Sequence, residues 1–145
     1  MTQWAAMFAR QPHAGKVKTR LQSVLSPEQA ANLYTAFLQD TAATLATCSA
    51  TTKVVVYTGE GAADGLPRLL NSVGDFDYLP QVDGSLGARL SGLFDDAFAA
   101  GSQSTVVIGT DSPSLPVDFL DQAFDLLRTH EIVVGPSTDG GYYLI

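Results

Sequence analysis

The sequence predicts an α/β fold, a mostly parallel sheet sandwiched between helices. Three observations carry that expectation. Short apolar runs alternate with longer stretches of helical periodicity. The runs are nearly continuous in apolar residues, as strands buried on both faces are. With 46% apolar and 16% charged residues in a chain of 145, one core can be filled and disorder is disfavoured.

Gln3 to Ala9 reads as a first buried strand, closed by the turn-rich residues 10–15. Ser26 can cap a helix whose first position suits Pro27, and Gln29 completes a capping box. Ala30, Leu33, Phe37, Leu38 and Leu45 then recur at helical spacing, which carries the helix to about Cys48. Lys53 to Thr58 is β-branched and gives a second strand. Pro67 to Ser72 suggests a short helix, and Phe76 to Pro80 a weaker strand. Leu86, Leu90, Leu93, Phe94, Ala97 and Phe98 mark a helix starting near residue 87. Ser104 to Gly109 is the clearest strand, and Phe119, Leu120, Ala123, Phe124 and Leu127 place a helix starting near 117. Ile132 to Gly135 reads as a fifth strand of the same sheet, and residues 141–145 begin another.

Eight basic residues stand against fifteen acidic ones, for a net charge of −7. That balance argues against a nucleic-acid partner, which needs a broad basic face. No apolar run approaches the roughly 20 residues of a membrane span. No charged segment followed by an apolar stretch opens the chain, and Cys48 stands alone, so a cytoplasmic setting is expected. Four of the eight basic residues, Arg10, Lys16, Lys18 and Arg20, nevertheless fall within eleven positions. A compact cationic segment on an acidic chain reads either as a local anion site or as a solvated charged loop.

In open α/β sheets ligands bind beyond the carboxyl ends of the strands, which singles out residues 10–20, 110–114 and 136–141. The first loop joins Gly15, which permits close backbone approach, to Lys16, Lys18 and Arg20, a combination suited to phosphate. It lacks the glycine spacing of a P-loop. Gly59-Glu60-Gly61 opens like a dinucleotide fingerprint, but position 64 is Asp64 where a glycine is needed. Asp111 offers a hard oxygen ligand for Mg²⁺ or Mn²⁺. Its other reading is the organiser of a turn before the next helix. Asp139, Gly140 and Gly141 suit either close approach to a ligand or a hairpin turn. Arg89, with Gln81 and Leu86-Gly87, is a further anion candidate, or a salt-bridge partner on an acidic face. Neither His13 nor His130 has a metal-binding spacing.

Five segments in order carry a resemblance. They are Phe8 to Leu21, Ala36 to Thr41, Gln81 with Leu86 to Leu90, Ile108 to Pro113, and Gly135 to Ile145. Together they are similar to a bacterial family described as radical-SAM/selenodomain-associated transferases, with a glycosyltransferase-A-like, nucleotide-diphospho-sugar-transferase fold. The family is itself similar to the molybdenum-cofactor and phospholactate guanylyltransferases. The resemblance implies a single transferase domain over residues 1–145 that binds a nucleotide or nucleotide sugar with Mg²⁺ or Mn²⁺ and acts on an acceptor it does not identify. Arg10, Gly15, Lys16, Lys18, Arg20 and Arg89 would hold the nucleotide and its phosphates. Asp111 would hold the metal, with Lys18 beside it in catalysis, and Asp139, Gly140 and Gly141 would line the acceptor side.

Glycosyl transfer is the first expectation. Nucleotidyl transfer from a triphosphate and a non-catalytic binding module are its alternatives. Sugar transferases of this fold carry Asp-x-Asp at the metal position, whereas here the second place is Pro113. Family members continue beyond this length. The domain is therefore expected to be C-terminally incomplete, with an uncovered apolar groove or sheet edge beside residues 141–145 and association between copies.

Overall fold

The computed structural model describes residues 2–145. Ten elements follow in order: β1 (Gln3–Arg10), α1 (Pro27–Thr47), β2 (Thr52–Thr58), α2 (Ala62–Leu70), β3 (Asp77–Pro80), α3 (Leu86–Ala99), β4 (Ser104–Ile108), α4 (Val117–Leu126), β5 (Gly135–Pro136) and β6 (Tyr142–Leu144). A 3-10 turn at Thr19–Ser23 precedes α1. The six strands form one sheet in the order β3-β2-β1-β4-β6-β5. The first four are mutually parallel, and β1 lies between β2 (Trp4 opposite Thr52) and β4 (Trp4 opposite Thr105).

The continuous apolar runs become the central strands because both of their faces are covered. On one face Met7, Val55, Val106 and Ile108 pack against Leu38 and Leu45 of α1, Leu66 and Leu70 of α2, and Leu120 and Phe124 of α4. On the other, Ala6, Val54, Val56 and Val107 meet Leu90 and Leu93 of α3. The three long helices begin at 27, 86 and 117, close to their expected starts. Helix α1 begins as its sequence dictates. Ser26 Oγ accepts the Gln29 N–H (3.1 Å), and Gln29 Oε1 accepts the Ser26 N–H (2.9 Å).

Two expectations need correction. The helix placed at 67–72 is α2, which starts five residues earlier and holds Pro67 in its interior. Positive φ at Gly59 (102°) and Gly61 (74°) makes the turn that starts it. Proline's missing N–H removes one helical bond without ending so short a helix. The run Ile132 to Val134 forms no strand; pairing begins only at Gly135 and is antiparallel, against β6. The physical reason lies in the place beside β4. It is taken by β6, whose Leu144 faces Ile108, so Ile132 has no strand to join and stays 72% exposed. No helix among the described residues is long and apolar enough to cross a membrane.

Candidate functional site

Parallel strands carry their carboxyl ends to one edge. The chain leaves β1 toward β2 on one side and, much later, β4 on the other, so a crevice opens between β1 and β4. The 10–20 loop follows β1, and Asp111 follows β4. The antiparallel β6 starts at the carboxyl end of β4, because Ile145 pairs with Val107 and Leu144 with Ile108. That register brings the 137–141 turn to the same edge.

Across this crevice the Lys18 ammonium is paired with Asp111 Oδ1, which joins two loops 93 residues apart. Three features hold Lys18 in place. Val17, beside it, is buried in the core and pins the loop. Lys18 itself adopts φ 49°, the single left-handed non-glycine residue among those described, and its carbonyl accepts the Leu21 N–H (2.9 Å) to start the 3-10 turn. Its Nζ lies 5.7 Å from the Tyr34 ring centroid and 5.4 Å from that of Phe37, both on α1. The Lys18 side chain is 20% exposed and that of Asp111 is 82% exposed.

Tyr34 ties the scaffold together. Its hydroxyl accepts the Arg10 N–H at the end of β1 (3.0 Å) and shares a hydrogen bond with Thr110 Oγ1 after β4 (3.3 Å). One buried side chain of α1 thus fixes both strand ends that flank the crevice. In the sequence Tyr34 carries no role, Phe37 only a place in the helical pattern, and Thr110 only a place in the 110–114 loop. The available signal was a tyrosine on the apolar face of α1, whose hydroxyl must find a partner when buried.

Gln11 carried no expectation, and His13 only the lack of a metal-binding spacing. The Gln11 N–H bonds the Thr58 carbonyl (2.9 Å), and its side chain fills the space above Gly65, where a Cβ would stand 2.6 Å from Cδ. His13 Nε2 donates to the Glu60 carbonyl (2.6 Å). Gly59 and Gly65 therefore make room for the loop that follows β1, while Gly61 serves the turn by its positive φ.

The other candidates fall in separate places. Arg10, Lys16 and Arg20 are exposed around the β1 loop, and Gly15 holds φ 81° with open space where a side chain would stand. Arg89 lies in the first turn of α3, beside a small hollow with Pro80, Gln81 and Asp96 at the end of β3. Strand β3 is two places from β1, and no contact links Arg89 to Lys18 or Asp111 among the described residues. Asp139 Oδ1 accepts the Gly141 N–H (3.0 Å), and Gly140 has φ 91°. That N–H first, and the Ser137 hydroxyl second, hold the Asp139 carboxyl below the usual carboxylate range. A cavity of about 690 Å³ is elsewhere. Phe94, Phe98, Ile132 and Ile145 line it beside Ser104 and Thr105, at the end of β4 opposite Asp111. Its lining mixes these apolar residues with Gln103, Arg128, His130 and Glu131, and it carries none of the candidate residues.

Comparison with known proteins agrees with this architecture. The sequence model of a family described as "Uncharacterized protein conserved in bacteria (DUF2064)" matches residues 41–145, and the chain belongs to that family. No curated protein matches it. Among solved structures it is similar to a protein of Desulfovibrio desulfuricans G20 described as a "putative nucleotide-diphospho-sugar transferase". The TM-score is 0.88 and the identity 33%, over 99% of this chain and 62% of that one. The chain therefore spans about 62% of that protein's length. Two more distant structures share the fold alone. One is CMP:2-keto-3-deoxy-manno-octonic acid synthetase in complex with CTP (TM-score 0.59, 9% identity, covering 92% of this chain and 50% of that one). The other is a cytidylyltransferase from Leptospira borgpetersenii (TM-score 0.57, 17% identity, 92% and 52%).

Proposed function

We propose that this DUF2064-family chain binds the diphosphate of a nucleotide sugar across the β1–β4 crevice and belongs to a nucleotide-sugar-dependent transferase. The observation that carries the reading is the meeting of Lys18 and Asp111 at that crevice. It sets fixed positive charge and a hard-oxygen carboxylate side by side where open α/β sheets bind ligands. The solved relative's description and the fold of the CTP-binding synthetase support the ligand class.

In this reading Lys16, Lys18 and Arg20 meet the phosphates, Arg10 adds charge at the rim, and Gly15 lets the backbone approach closely. Arg89, two strands away, faces the nucleoside end, and the Asp139–Gly141 turn borders the acceptor. In glycosyl transfer an acceptor oxygen bonds to the anomeric carbon as the bond from that carbon to a diphosphate oxygen breaks. The bonding pair leaves with the diphosphate, and the proton of a hydroxyl acceptor passes to a base or to solvent. Lysine and arginine contacts to that departing charge strengthen as it forms, which is how positioned cations lower such a barrier.

The donor set also bears on Mg²⁺ or Mn²⁺. Among the described residues no three His, Cys, Asp or Glu side chains gather into a cage. The exposed Asp111 carboxylate fits a cation held by one protein carboxylate, ligand phosphates and water, the usual state of Mg²⁺ beside nucleotides. When bound, such an ion would add positive charge to the diphosphate.

Titration calorimetry with a panel of nucleotide sugars and triphosphates, with and without Mn²⁺, tests the proposal. Replacing Lys18 and Arg20 together by Ala should weaken binding by about a hundredfold or more, since two charge-assisted contacts worth about 1.5–3 kcal/mol each are lost. Absence of binding across the panel, or an unaffected double variant, would refute it. Nucleotidyl transfer is the second reading, favoured by the single carboxylate where Pro113 replaces a second aspartate. Release of pyrophosphate from a triphosphate and a phosphorylated acceptor would select it.

A further inference from the structure

We propose that the Lys18 ammonium and a divalent cation exchange at the Asp111 carboxylate, so that metal loading and delivery of Lys18 to a phosphate are one coupled event. The metal part of this inference stands on the geometry of the pair; its nucleotide part rests on the function proposed above.

Among the described residues Lys18 is the sole polar partner of Asp111, and it occupies Oδ1. The ammonium is thus a stand-in cation, and it marks the carboxylate as aimed at positive charge in the crevice. A divalent ion that takes Asp111 removes the ion pair. Lys18 does not then lose its station. Its left-handed backbone, the anchor at Val17 and the rings of Tyr34 and Phe37 hold the charge at the crevice without help from Asp111. The aromatic faces are a second seat for the ammonium.

Each ligand alone meets an obstacle that the other removes. A phosphate that draws Lys18 away leaves the Asp111 carboxylate unneutralised beside a second anion. A metal ion that displaces Lys18 finds one protein carboxylate and no further cluster of ligands among the described residues. Bound together, the metal neutralises Asp111, the phosphates complete the metal's ligand set, and Lys18 turns to a phosphate oxygen. Positive coupling between metal and nucleotide follows, and by linkage it acts equally in both directions.

The consequence is a crossed pattern that a simple surface ion pair would not give. Lys18→Met should bind Mn²⁺ alone more tightly than the parent, by about fivefold if the pair is worth about 1 kcal/mol. Asp111→Asn should bind nucleotide without metal more tightly, by a similar factor, while losing the gain that Mn²⁺ brings. Free Mn²⁺ measured by electron paramagnetic resonance reads the first arm with no nucleotide present, and calorimetry reads the second. In the Asp111→Asn background, Lys18→Met should leave Mn²⁺ binding unchanged. Lys18→Gln, which keeps a polar head, serves as a second variant should the Met form fold poorly by circular dichroism. Unchanged or weaker Mn²⁺ binding in both Lys18 variants, or a gain that persists without Asp111, overturns the exchange. Failure of nucleotide to bind any variant, with the Mn²⁺ arm intact, would instead count against the proposed function.

Discussion

Tyr34→Phe removes a single oxygen and tests whether one hydroxyl holds the two strand ends of the crevice. The ring stays, so the packing of α1 and the aromatic face under Lys18 are kept. What is lost is a part-buried bond from the Arg10 N–H at 3.0 Å and a buried bond with Thr110 Oγ1 at 3.3 Å. A net hydrogen bond contributes about 0.5–1.5 kcal/mol, and an orphaned buried group costs about 1–3 kcal/mol. Thr110 is 7% exposed, so its hydroxyl is left without water, and the two effects together give a loss of about 2 kcal/mol. For a domain of this size that is a fall in Tm of roughly 4–8 °C. Urea denaturation should show a lower midpoint at unchanged slope, and the Arg10 amide should exchange faster. Thr110→Val cuts the shared bond from its other end, so the double variant should lose less than the sum of the singles. A Tyr34→Phe variant within about 0.5 kcal/mol of the parent, or strict additivity with Thr110→Val, would show that the hydroxyl does not tie the strands.

Three further outcomes are expected. Gly135→Ala should destabilise by about 1–3 kcal/mol, because its Cβ would stand 2.5 Å from Tyr143 Cζ; Tyr143→Leu should relieve most of that loss in thermal unfolding. The Asp139–Gly141 turn should loosen in acid. Its carboxyl titrates below the ordinary carboxylate value, so its contribution is present above that value and disappears as pH falls through the lowered one. The Gly141 amide shift followed by NMR should report the transition at that lowered pH, and a transition at the ordinary value would contradict it. Cys48 is buried, and desolvation first of all pushes its thiol up. It should react with thiol reagents at neutral pH only after unfolding, which a timed assay in and out of urea would show.

The parts of the fold that were legible in the sequence are those fixed by local chemistry. The capping box at Ser26 and Gln29, the apolar runs of β1, β2 and β4, and the periodicity of α1, α3 and α4 each act over a few residues. The parts that were not legible depend on what lies alongside in space. Ile132 to Val134 has the composition of a strand, yet a strand also needs a neighbour, and β6 has taken the place beside β4. At the crevice, the β1 loop and Asp111 were both readable as charged segments after strands. The direct contact between Lys18 and Asp111 was not, because it depends on a left-handed turn at Lys18 and on two aromatic rings from α1. Tyr34 was invisible for a related reason. On a helical wheel it is one more apolar position, and its hydroxyl gains meaning only when the ends of β1 and β4 are brought to it.

The kinds of side chain at this edge also bear on the choice between the two transfer reactions. A hydroxyl acceptor must give up a proton as it attacks, so glycosyl transfer calls for a base within hydrogen-bond reach. His13 Nε2 donates to the Glu60 carbonyl, which leaves Nδ1 of the neutral ring as its acceptor and makes it the base to test at this edge. Asp139 accepts the Gly141 N–H, which favours its ionised form and makes it a weak base. Asp111 is engaged by Lys18. A phosphorylated acceptor attacks as an anion and needs no such base; it needs positive charge to approach another phosphate, which Lys16, Lys18 and Arg20 offer. The cations of this edge suit an anionic acceptor, and His13 Nδ1 suits a neutral one. If hydroxyl acceptors are used, His13 Nδ1 is the base that this edge offers. The two cases separate by the pH dependence of kcat/KM with a phosphorylated and an unphosphorylated acceptor. An anionic acceptor should give a profile set by its own phosphate group, with no additional base on the protein. A protein base near neutrality, seen with both acceptors and kept in both Asp139→Asn and His13→Gln, would show that this edge is only the nucleotide half of the site.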